Sequence, residues 1–484
     1  MMDRYSIVIR SDVDRTFKSH LIRSDGQEDL CFATYKKSTA DKRLTAIITE
    51  LILPMKGERD IHGNVGFYPQ YLERALKFAR DRNEGLVFCH SHPAPGWQGM
   101  SLDDVIAERR MAPAAMSFTD HPLVGMTVGD NGSWSGRFWA RSSEKARSFE
   151  CCWCESVRVQ GKKLSITFND QLLPAKFDIH KQLRTISAWG KQTQEDLSRM
   201  RIGIVGLGSV GSIVATILAR TGFSNFVLID FDGVEEKNLD RSNYLVPDIG
   251  RAKVSAVADS IRRSSTSPKV HIEEVEYSVC EKEGYFAALG CDAIFSCVDR
   301  PWPRQVLNYI SYNHLIPVID GGILVRTNND NSRLIGADWS AHTIGFKRTC
   351  LECLGQYKTE KAILEKGGYL DDPSYIRGLE NKELLEVHEN VYAFSSHLAS
   401  LEVLQLLNLY IAPSGLADVG QQTYHFVTGS LDREKNQECF EGCYFQQNVG
   451  LGDSNPVVVY ARHPIAELAR RWRERKELNS DELE

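Results

Sequence analysis

The chain has 484 residues, of which 42% are hydrophobic and 25% are charged, a composition typical of a soluble globular protein with about two or three domains. The net charge of −6 gives no reason to expect nucleic acid or an anionic membrane as a partner. We find neither an apolar run of about 18 residues nor a charged-then-apolar leader, so we expect no membrane span and a cytoplasmic location. The 12 cysteines occur in short-spaced clusters, which favours metal sites and reduced thiols over a disulfide framework.

Residues 1–145 are predicted to form an α+β domain. Apolar content and alternation predict strands at YSIVIR, EDLCFATYKK, LTAIITELIL and LVFCHSH. The stretch YPQYLERALKFARDRNEG predicts an amphipathic helix closed by a glycine. A DNG turn between two apolar runs, in LVGMTVGDNGSWSGRFW, predicts a hairpin.

The chemistry of this domain is concentrated in the segment FCHSHPAPGWQGMSLDD. His90 and His92 stand two residues apart at the end of a strand, so alternation places both imidazoles on one side, and Asp104 follows. Two histidines and a carboxylate would leave the fourth position of a zinc ion for water, as in catalytic zinc sites. Glu28 is the candidate base for that water, and Ser101 could donate a hydrogen bond to a developing oxyanion.

This set of residues resembles the JAB/JAMM metallopeptidase family, whose pattern is a glutamate, then H-x-H-P, then S-x-x-D. The positions that match the pattern are Glu28, His90, His92, Pro93, Ser101 and Asp104. The gap between the histidines and the serine is slightly longer than usual in the family. Asp103 competes with Asp104 for the metal, but the S-x-x-D register favours Asp104. The resemblance implies a zinc-dependent peptidase or isopeptidase.

Residues 146–178 are predicted to be a linker that contains a hairpin, VRVQGKKLSITF. Its first part carries Cys151, Cys152 and Cys154. These are either ordinary strand cysteines in a reducing compartment, or a reactive thiol or part of a metal site. The following stretch, FDIHKQLRTISAWGKQTQEDLSRM, predicts one or two helices.

A strand, a glycine turn and a helix are predicted next, in RIGIVGLGSVGSIVATILARTG. Gly206, Gly208 and Gly211 fit G-x-G-x-x-G, which permits a tight turn, close approach of the backbone to phosphate, and close helix–strand packing. The N-terminus of the new helix offers free N–H groups to an anion. A second strand ends at Asp230, where an acidic residue can bind a ribose hydroxyl.

The residues after Asp230 distinguish between classes of nucleotide-binding enzyme. Asp232, Asn238, Arg241 and Lys253 follow within one short span, and the two cations would suit neutralisation of a triphosphate. This stretch resembles the ThiF/MoeB/ubiquitin-activating-enzyme family, whose pattern is D-x-D-x-V-x-x-x-N-L-x-R with a lysine downstream. The resemblance implies ATP rather than NAD, and adenylation of a carboxylate.

The helical entry to this region matches the same family. The pattern R-x5-G-x3-Q-x2-L is met by Arg184, Gly190, Gln194 and Leu197. In that family the arginine reaches the ATP site, commonly that of the partner subunit. The resemblance therefore makes Arg184 a candidate triphosphate contact, in cis or in trans, and implies a homodimer through the adenylation domain.

The remaining elements of residues 179–445 continue a doubly wound α/β fold. The stretch CDAIFSCVDRPWPRQVLN predicts a strand ending at Asp299, and ligands of open α/β sheets bind beyond the carboxyl ends of strands. Asp299 is thus placed to hold magnesium against a triphosphate. The family has an aspartate at this position, usually followed by asparagine, whereas Arg300 follows here.

Two cysteine pairs are predicted to hold a structural zinc ion. Cys350 and Cys353 form C-x2-C, and Cys439 and Cys443 form C-x3-C, where the family commonly has C-x2-C twice. The 85 residues between the pairs contain no cysteine, although thioester-forming members usually carry their catalytic cysteine there. Residues 446–484 are predicted to be a charged helical tail whose arginines form a solvated face.

Together the resemblances imply a dual enzyme of a ubiquitin-like protein system. One half would cleave at the carrier's C-terminus, and the other would adenylate the freed glycine, possibilities that fit bacterial conjugation or antiviral defence pathways. The partner would be a ubiquitin-like or sulfur-carrier protein with a C-terminal glycine, with a conjugating-enzyme-like acceptor. Two alternatives stay open: a sulfur-transfer or small-peptide biosynthesis adenylyltransferase without a thioester step, and a non-catalytic scaffold that binds a ubiquitin-like tail.

Overall fold

The structure is a computed structural model that describes residues 4–62, 64–142, 148–328, 333–369, 390–434, 437–455, 457 and 463–481. The chain divides into two compact units. The first comprises Met1–Pro174, Asn313–Leu315 and Asn448–Pro456. The second comprises Ala175–Tyr312, Ile316–Gln447 and Val457–Glu484.

The first unit is built on a nine-stranded mixed sheet in the order β11-β10-β1-β3-β2-β6-β7-β8-β9, with β4 and β5 as a separate hairpin. The strands are β1 (Arg4–Arg10), β2 (Leu30–Thr39), β3 (Arg43–Ile52), β4 (Arg59–His62), β5 (Asn64–Phe67), β6 (Gly85–His92), β7 (Leu123–Gly129), β8 (Trp134–Arg141), β9 (Phe149–Trp153), β10 (Ser156–Gln160) and β11 (Leu164–Phe168). The helices are α1 (Ser11–Leu21), α2 (Pro69–Asp81) and α3 (Leu102–Thr119).

The central strands of this sheet are buried on both faces. Along β2, Cys31 and Ala33 belong to one hydrophobic core, whereas Leu30 and Phe32 belong to a second core on the opposite face. This division follows from the alternation of side chains along a strand. The central β6, which carries the predicted zinc ligands, is therefore fixed by packing on two sides.

The segment predicted to be a linker is instead part of this sheet, and that prediction is wrong. β10 pairs in parallel with β1, and β9 pairs with β8 at the other end of the sheet. The cause is burial: Val157, Leu164 and Phe168 are at most 5% exposed. The hairpin predicted within the segment is confirmed as the antiparallel pair β10 and β11.

The second unit has an eight-stranded sheet in the order β14-β13-β12-β15-β16-β17-β18-β19. Its strands are β12 (Arg201–Val205), β13 (Asn225–Ile229), β14 (His271–Val275), β15 (Ala293–Ser296), β16 (Val318–Thr327), β17 (Leu334–Ile344), β18 (Gln421–His425) and β19 (Ser430–Glu434). Its helices are α4 (Leu183–Trp189), α5 (Lys191–Arg199), α6 (Ser209–Thr221), α7 (Lys253–Ser264), α8 (Lys282–Leu289), α9 (Pro301–Asn313), α10 (Thr359–Lys366), α11 (Tyr392–Ile411), α12 (Tyr444–Gln447) and α13 (Pro464–Asp481).

The strand order of the second unit locates its ligand-binding edge. In the sheet, the neighbouring strands β14, β13, β12, β15 and β16 run parallel, whereas β16, β17, β18 and β19 pair antiparallel. The chain moves outward from β12 to β14 and then returns to place β15 on the other side of β12. Ligands of open α/β sheets bind at such a reversal, beyond the carboxyl ends of the strands. The predicted doubly wound α/β fold is confirmed for this unit.

Two other predictions concern the chain beyond this sheet core. The stretch NKELLEVHENVYAFSSHLASLEVLQLLNLY, between the cysteine pairs, predicts two helices joined by a crossover. α11 confirms the second helix, while residues 370–389, where the first would begin, lie outside the described ranges. Over the described part of the chain, no helix has both the length and the apolar character that crossing a bilayer requires.

Candidate functional site

The glycine turn after β12 is shaped by close backbone contacts. Gly206 has φ 84°, and a Cβ there would lie 2.5 Å from the carbonyl oxygen of Cys297. A Cβ at Gly211 would lie 2.0 Å from the carbonyl oxygen of Gly206, so this glycine lets α6 pack against the turn. Gly208 has no atom within 4 Å of its Cβ position, which leaves open space where a ligand could approach.

Asp230 ties the end of β13 to the glycine turn. Its Oδ2 accepts a hydrogen bond from the backbone N–H of Leu207 at 2.6 Å, and its Oδ1 accepts one from Asp232 at 2.7 Å. The side chain is buried, and burial raises the pKa of Asp230 despite the nearby charge of Lys253. The carboxylate thus positions the turn, and its remaining lone pairs face the cavity.

Lys253 supplies a buried positive charge at the same place. It begins α7, and its Nζ donates to Asp232 Oδ2 at 2.9 Å. Burial disfavours the ammonium form, but the carboxylates of Asp230, Asp232 and Asp299 raise the pKa of Lys253 overall, so the group stays charged. One cation is therefore surrounded by three acids.

These elements enclose one cavity of 650 Å³ in the second unit. Predicted nucleotide-binding residues that line it are Gly206, Gly208, Asp230, Asp232, Asn238, Arg241, Lys253 and Asp299. The structure thus brings together side chains from the ends of three strands and from the loop before α7. Arg300, which stands where the family usually has asparagine, also lines the cavity.

Two predicted residues lie elsewhere. Gly211 packs under the turn without lining the cavity. Arg184 is exposed on α4 and is not among the lining residues, so the structure of one chain provides no contact in cis.

The sequence alone did not identify several cavity residues. Cys297 directly follows β15 and lines the cavity, with its Sγ 3.5 Å from Glu402 Oε2. Burial and the Glu402 carboxylate raise the pKa of Cys297 well above its usual value. His463 and Ile465 also line the cavity, and no local motif marked either of them.

The four predicted cysteines form one cluster. The Sγ atoms of Cys350, Cys353, Cys439 and Cys443 all lie within 4.8 Å of one another. The backbone N–H of Cys350 donates to Cys439 Sγ at 3.2 Å, and Gln446 Nε2 donates to the same sulfur at 3.5 Å. Four converging sulfurs with N–H donors are the ligand set of a structural zinc site, so these residues fit the predicted ion.

The predicted ligands of the first unit also converge. His90 Nε2 and His92 Nε2 lie 3.1 Å apart, and the two oxygens of Asp104 lie 3.3 and 3.4 Å from these nitrogens. His90 Nδ1 is buried without a hydrogen-bond partner among the described residues. Three mutually facing donor atoms of the types zinc prefers fit the predicted ion.

Ser101 and Glu28 border this cluster. Ser101 is the N-cap of α3: its Oγ accepts from the backbone N–H of Asp104 at 3.1 Å, while the Asp104 side chain accepts from Ser101 N–H. This capping box fixes the Asp104 carboxylate and leaves the Ser101 hydroxyl proton free to donate. Contact with Asp104 raises the pKa of His92. Glu28 stands two residues before β2, and because Leu30 on β2 pairs antiparallel with His90 on β6, this register places Glu28 beside the end of β6 that carries His92.

A buried ion pair that the sequence did not reveal supports the same site. Arg137 on β8 forms a two-pronged contact with Glu108 on α3, and both side chains are 0% exposed. Trp139 Nε1 donates to Glu108 at 2.6 Å, and Arg137 Nη1 donates to Thr127 Oγ1 at 2.9 Å. Since Glu108 lies one helical turn after Asp104, this network fixes α3 behind the cluster.

The fold and the cavity of the second unit define a nucleotide-binding α/β protein with a glycine turn and a lysine among acids. The model of the ThiF family matches residues 179–439, more than half of the chain, and the protein belongs to that family. Most of the first unit, Met1–Pro174, lies outside that match.

Relatives named "Ubiquitin-like modifier-activating enzyme 5" share part of this region. The Drosophila melanogaster protein is 33% identical over 129 residues, which cover 24% of this chain and 31% of the relative. The Dictyostelium discoideum protein is 29% identical over 126 residues, 24% of this chain and 32% of the relative. The match thus spans about a third of the length of these relatives.

Solved structures with a similar fold include Escherichia coli MccB with ATP. That likeness has 17% identity and a TM-score of 0.42, and it covers 57% of this chain and 77% of the MccB chain.

Proposed function

We propose that the second unit adenylates the C-terminal carboxylate of a protein or peptide with ATP. In this reaction the carboxylate oxygen attacks the α-phosphorus, the bond to the β-phosphate bridging oxygen breaks, and pyrophosphate leaves. The observation that carries the proposal is the placement of Lys253 among Asp230, Asp232 and Asp299 beside the glycine turn. A charged lysine and the N-terminus of α6 would stabilise the negative charge that moves onto the leaving phosphates.

Asp299 would hold magnesium in this site. It stands beyond β15 at the mouth of the cavity, where its carboxylate offers the oxygen ligands that magnesium prefers. The bound ion would neutralise triphosphate charge. Arg241 would add a second cation, and the exposed Arg184 fits the proposal as a contact made in trans across a homodimer.

The substrate that we favour is a ubiquitin-like protein ending in glycine. The named relatives and the family membership support this class, and a bacterial pathway that couples processing to activation would suit the two units. A sulfur carrier or a small peptide is the alternative. The high pKa of the Cys297 thiol supports direct transfer of the acyl group to a partner, such as a conjugating-enzyme-like acceptor, without a thioester on this chain.

Exchange of labelled pyrophosphate into ATP tests adenylation. With magnesium and a carrier ending in glycine, the full chain should catalyse exchange, because acyl-adenylate formation is reversible. Asp299→Ala should reduce exchange at least 100-fold by removing the metal ligand. Exchange supported equally by a carrier that lacks its terminal glycine would contradict acyl-adenylation.

We infer that the first unit is a zinc-dependent peptidase or isopeptidase that acts on the same carrier tail. The observation that favours this second activity is the convergence of His90, His92 and Asp104 beside Glu28. A zinc ion held by the three ligands would supply a nucleophilic water. Glu28 would accept the proton of that water and deliver it to the leaving amine, while the Ser101 hydroxyl would donate to the oxyanion.

Matched variants test the peptidase. Glu28→Gln should retain zinc in the first unit but lose cleavage of a carrier with a C-terminal extension, because the amide cannot accept the proton. His92→Ala should lose both zinc and cleavage. Metal analysis of the full chain that finds zinc only at the cysteine cluster would contradict this mechanism.

A further inference from the structure

His463 lies in the wall of the nucleotide cavity with no hydrogen-bond partner. The residue is 1% exposed and lines the cavity next to Ile465. Among the described residues, neither ring nitrogen finds a partner, since Nε2 stands 4.0 Å from Glu365 Oε1, beyond hydrogen-bonding distance. A buried polar group without a partner is costly unless a ligand satisfies it.

The imidazole is held in place by aromatic edges. Its centroid lies 5.4 Å from the ring of Phe231 and 5.0 Å from the ring of Trp302, both in edge-to-face orientation. Burial lowers the pKa of His463 to about 4, so the ring is neutral and carries one donor and one acceptor. Such a ring suits hydroxyls and base edges better than phosphates, which favour cations.

The helix that follows is fastened to the same wall. Arg470 donates two hydrogen bonds to Glu281, at 2.8 and 2.7 Å, and its guanidinium lies 4.5 Å from the ring centre of Tyr277. Arg473 donates to the carbonyl oxygen of Phe231 and to Glu276 Oε2. The prediction that the arginines of the tail form a solvated face is therefore wrong for these two.

The contact with Phe231 places His463 near the nucleoside side of the cavity. Phe231 stands between Asp230, the predicted ribose-binding acid, and Asp232, and Tyr277 lines the cavity beyond the next strand, β14. The glycine turn, where phosphates are expected, follows β12, the neighbouring strand on the other side of β13. His463 thus lines the cavity near the region where ribose and base would lie.

We infer that His463 is a nucleotide-binding residue whose neutral imidazole hydrogen-bonds the nucleoside half of ATP, and that α13 positions it through Arg470 and Arg473. The inference rests on the proposed ATP-dependent function of the cavity. It adds a C-terminal segment to a site otherwise built from the strand ends of the α/β fold.

Calorimetric binding of ATP and magnesium to the full chain tests the inference. His463→Phe keeps an aromatic ring but removes both hydrogen-bonding nitrogens, and it should weaken ATP binding about tenfold. His463→Asn, which retains a donor and an acceptor, should recover part of the affinity. Inorganic triphosphate should bind the wild type and both variants equally, because His463 does not contact the phosphates.

A control on the same helix separates binding from folding. Arg471→Ala removes an exposed side chain that pairs only with Glu467, at 3.3 Å, and should leave ATP binding unchanged. Melting temperatures show whether each variant is folded. If one of the two His463 variants is unfolded, ATP binding by the other tests the inference. ATP binding by His463→Phe at wild-type affinity, or equal weakening of ATP and triphosphate, would overturn the inference. A wild-type chain that binds no ATP would instead overturn the proposed function itself.

The same binding measurement with 2′-deoxy-ATP, 3′-deoxy-ATP and GTP identifies the part of the nucleoside that His463 contacts. If His463 binds a ribose hydroxyl, one deoxy nucleotide should bind the wild type and His463→Phe with the same affinity. If His463 binds the base, GTP should instead bind the wild type and His463→Phe with the same affinity. Undiminished dependence on His463 for all three nucleotides would contradict a hydrogen bond to the nucleoside.

Discussion

Three acidic side chains surround Lys253 before any nucleotide binds. Its ammonium lies 2.9 Å from Asp232, and the carboxylates of Asp230 and Asp299 add to the local negative charge. An incoming triphosphate would meet repulsion from these acids unless magnesium came with it. The arrangement therefore favours the metal–nucleotide complex over the free nucleotide.

Four thiols outside the cysteine cluster differ from the reactive cysteines of thioester-forming enzymes. Burial raises the pKa of Cys151 to about 12, and it also raises those of Cys152 and Cys154. Cys297, the thiol that lines the nucleotide cavity, has a pKa well above its usual value for the same reason. A raised pKa keeps a thiol protonated at neutral pH, and a protonated thiol is a poor nucleophile.

We therefore predict that no stable carrier thioester forms on this chain. After incubation with ATP, magnesium and carrier, a non-reducing gel should show no thiol-sensitive adduct at neutral pH, while pyrophosphate exchange remains intact. An adduct that disappears on changing Cys151, Cys152 and Cys154 to Ala would make β9 a catalytic element and contradict the prediction. An adduct that disappears in Cys297→Ala would place the acceptor thiol in the cavity and would also contradict the prediction.

Among the structural elements, the cysteine cluster joins parts of the chain that are far apart in sequence. The loop at Cys350 and Cys353 follows β17, and Cys439 and Cys443 precede α12. A metal ion bound by all four sulfurs would cross-link these segments, so its binding energy would add to the stability of the second unit.

Removal of this metal should destabilise the second unit. Cys350→Ser combined with Cys353→Ser should lower the melting temperature by about 10 °C and remove one zinc equivalent, leaving the zinc of the first unit. Cys152→Ser, a change to a half-buried cysteine outside the cluster, is the matched control and should change neither. Equal zinc content in the double variant and the wild type would contradict a metal at the cluster.

The sequence predicted those elements whose cause is local. Gly206 has a positive φ within its turn, Gly211 packs against Gly206 five residues earlier, and the alternation in β2 and β6 reports burial on two faces. β13 ends directly before Asp230, as predicted, whereas β15 ends at Ser296, three residues before the predicted end at Asp299; both aspartates line the cavity. Each aspartate lies in the loop that follows its own strand, so its position could be predicted from the local sequence.

The missed features depend on packing between distant segments. Arg137 and Glu108 are 29 residues apart and look like ordinary surface charges in the sequence, yet both are completely buried. The strand β10 joins the sheet beside β1, more than 140 residues earlier in the chain. His463 reaches the cavity only because α13 is held by ion pairs to Glu281 and Glu276. No periodicity or motif specifies such pairings.

For the whole molecule, the two proposed activities have complementary chemistry. Peptide-bond hydrolysis in the first unit would release a C-terminal carboxylate, and adenylation in the second unit would consume one. Each unit has its own core and its own set of candidate site residues. The product of one unit would thus be the substrate of the other, which gives a physical reason for the presence of both on one chain.

Intact-mass spectrometry of the carrier tests this account most directly. The substrate is a ubiquitin-like protein from the same genome, extended beyond its terminal glycine and incubated with ATP, magnesium and the full chain. The wild type should convert it first to the trimmed carrier and then to the carrier–AMP adduct. Glu28→Gln should leave the extended carrier unchanged but adenylate a carrier that was trimmed beforehand, whereas Asp299→Ala should trim without adenylating. Formation of an AMP adduct on the extended carrier by Glu28→Gln, or no adduct on a trimmed carrier with the wild type, would contradict the account.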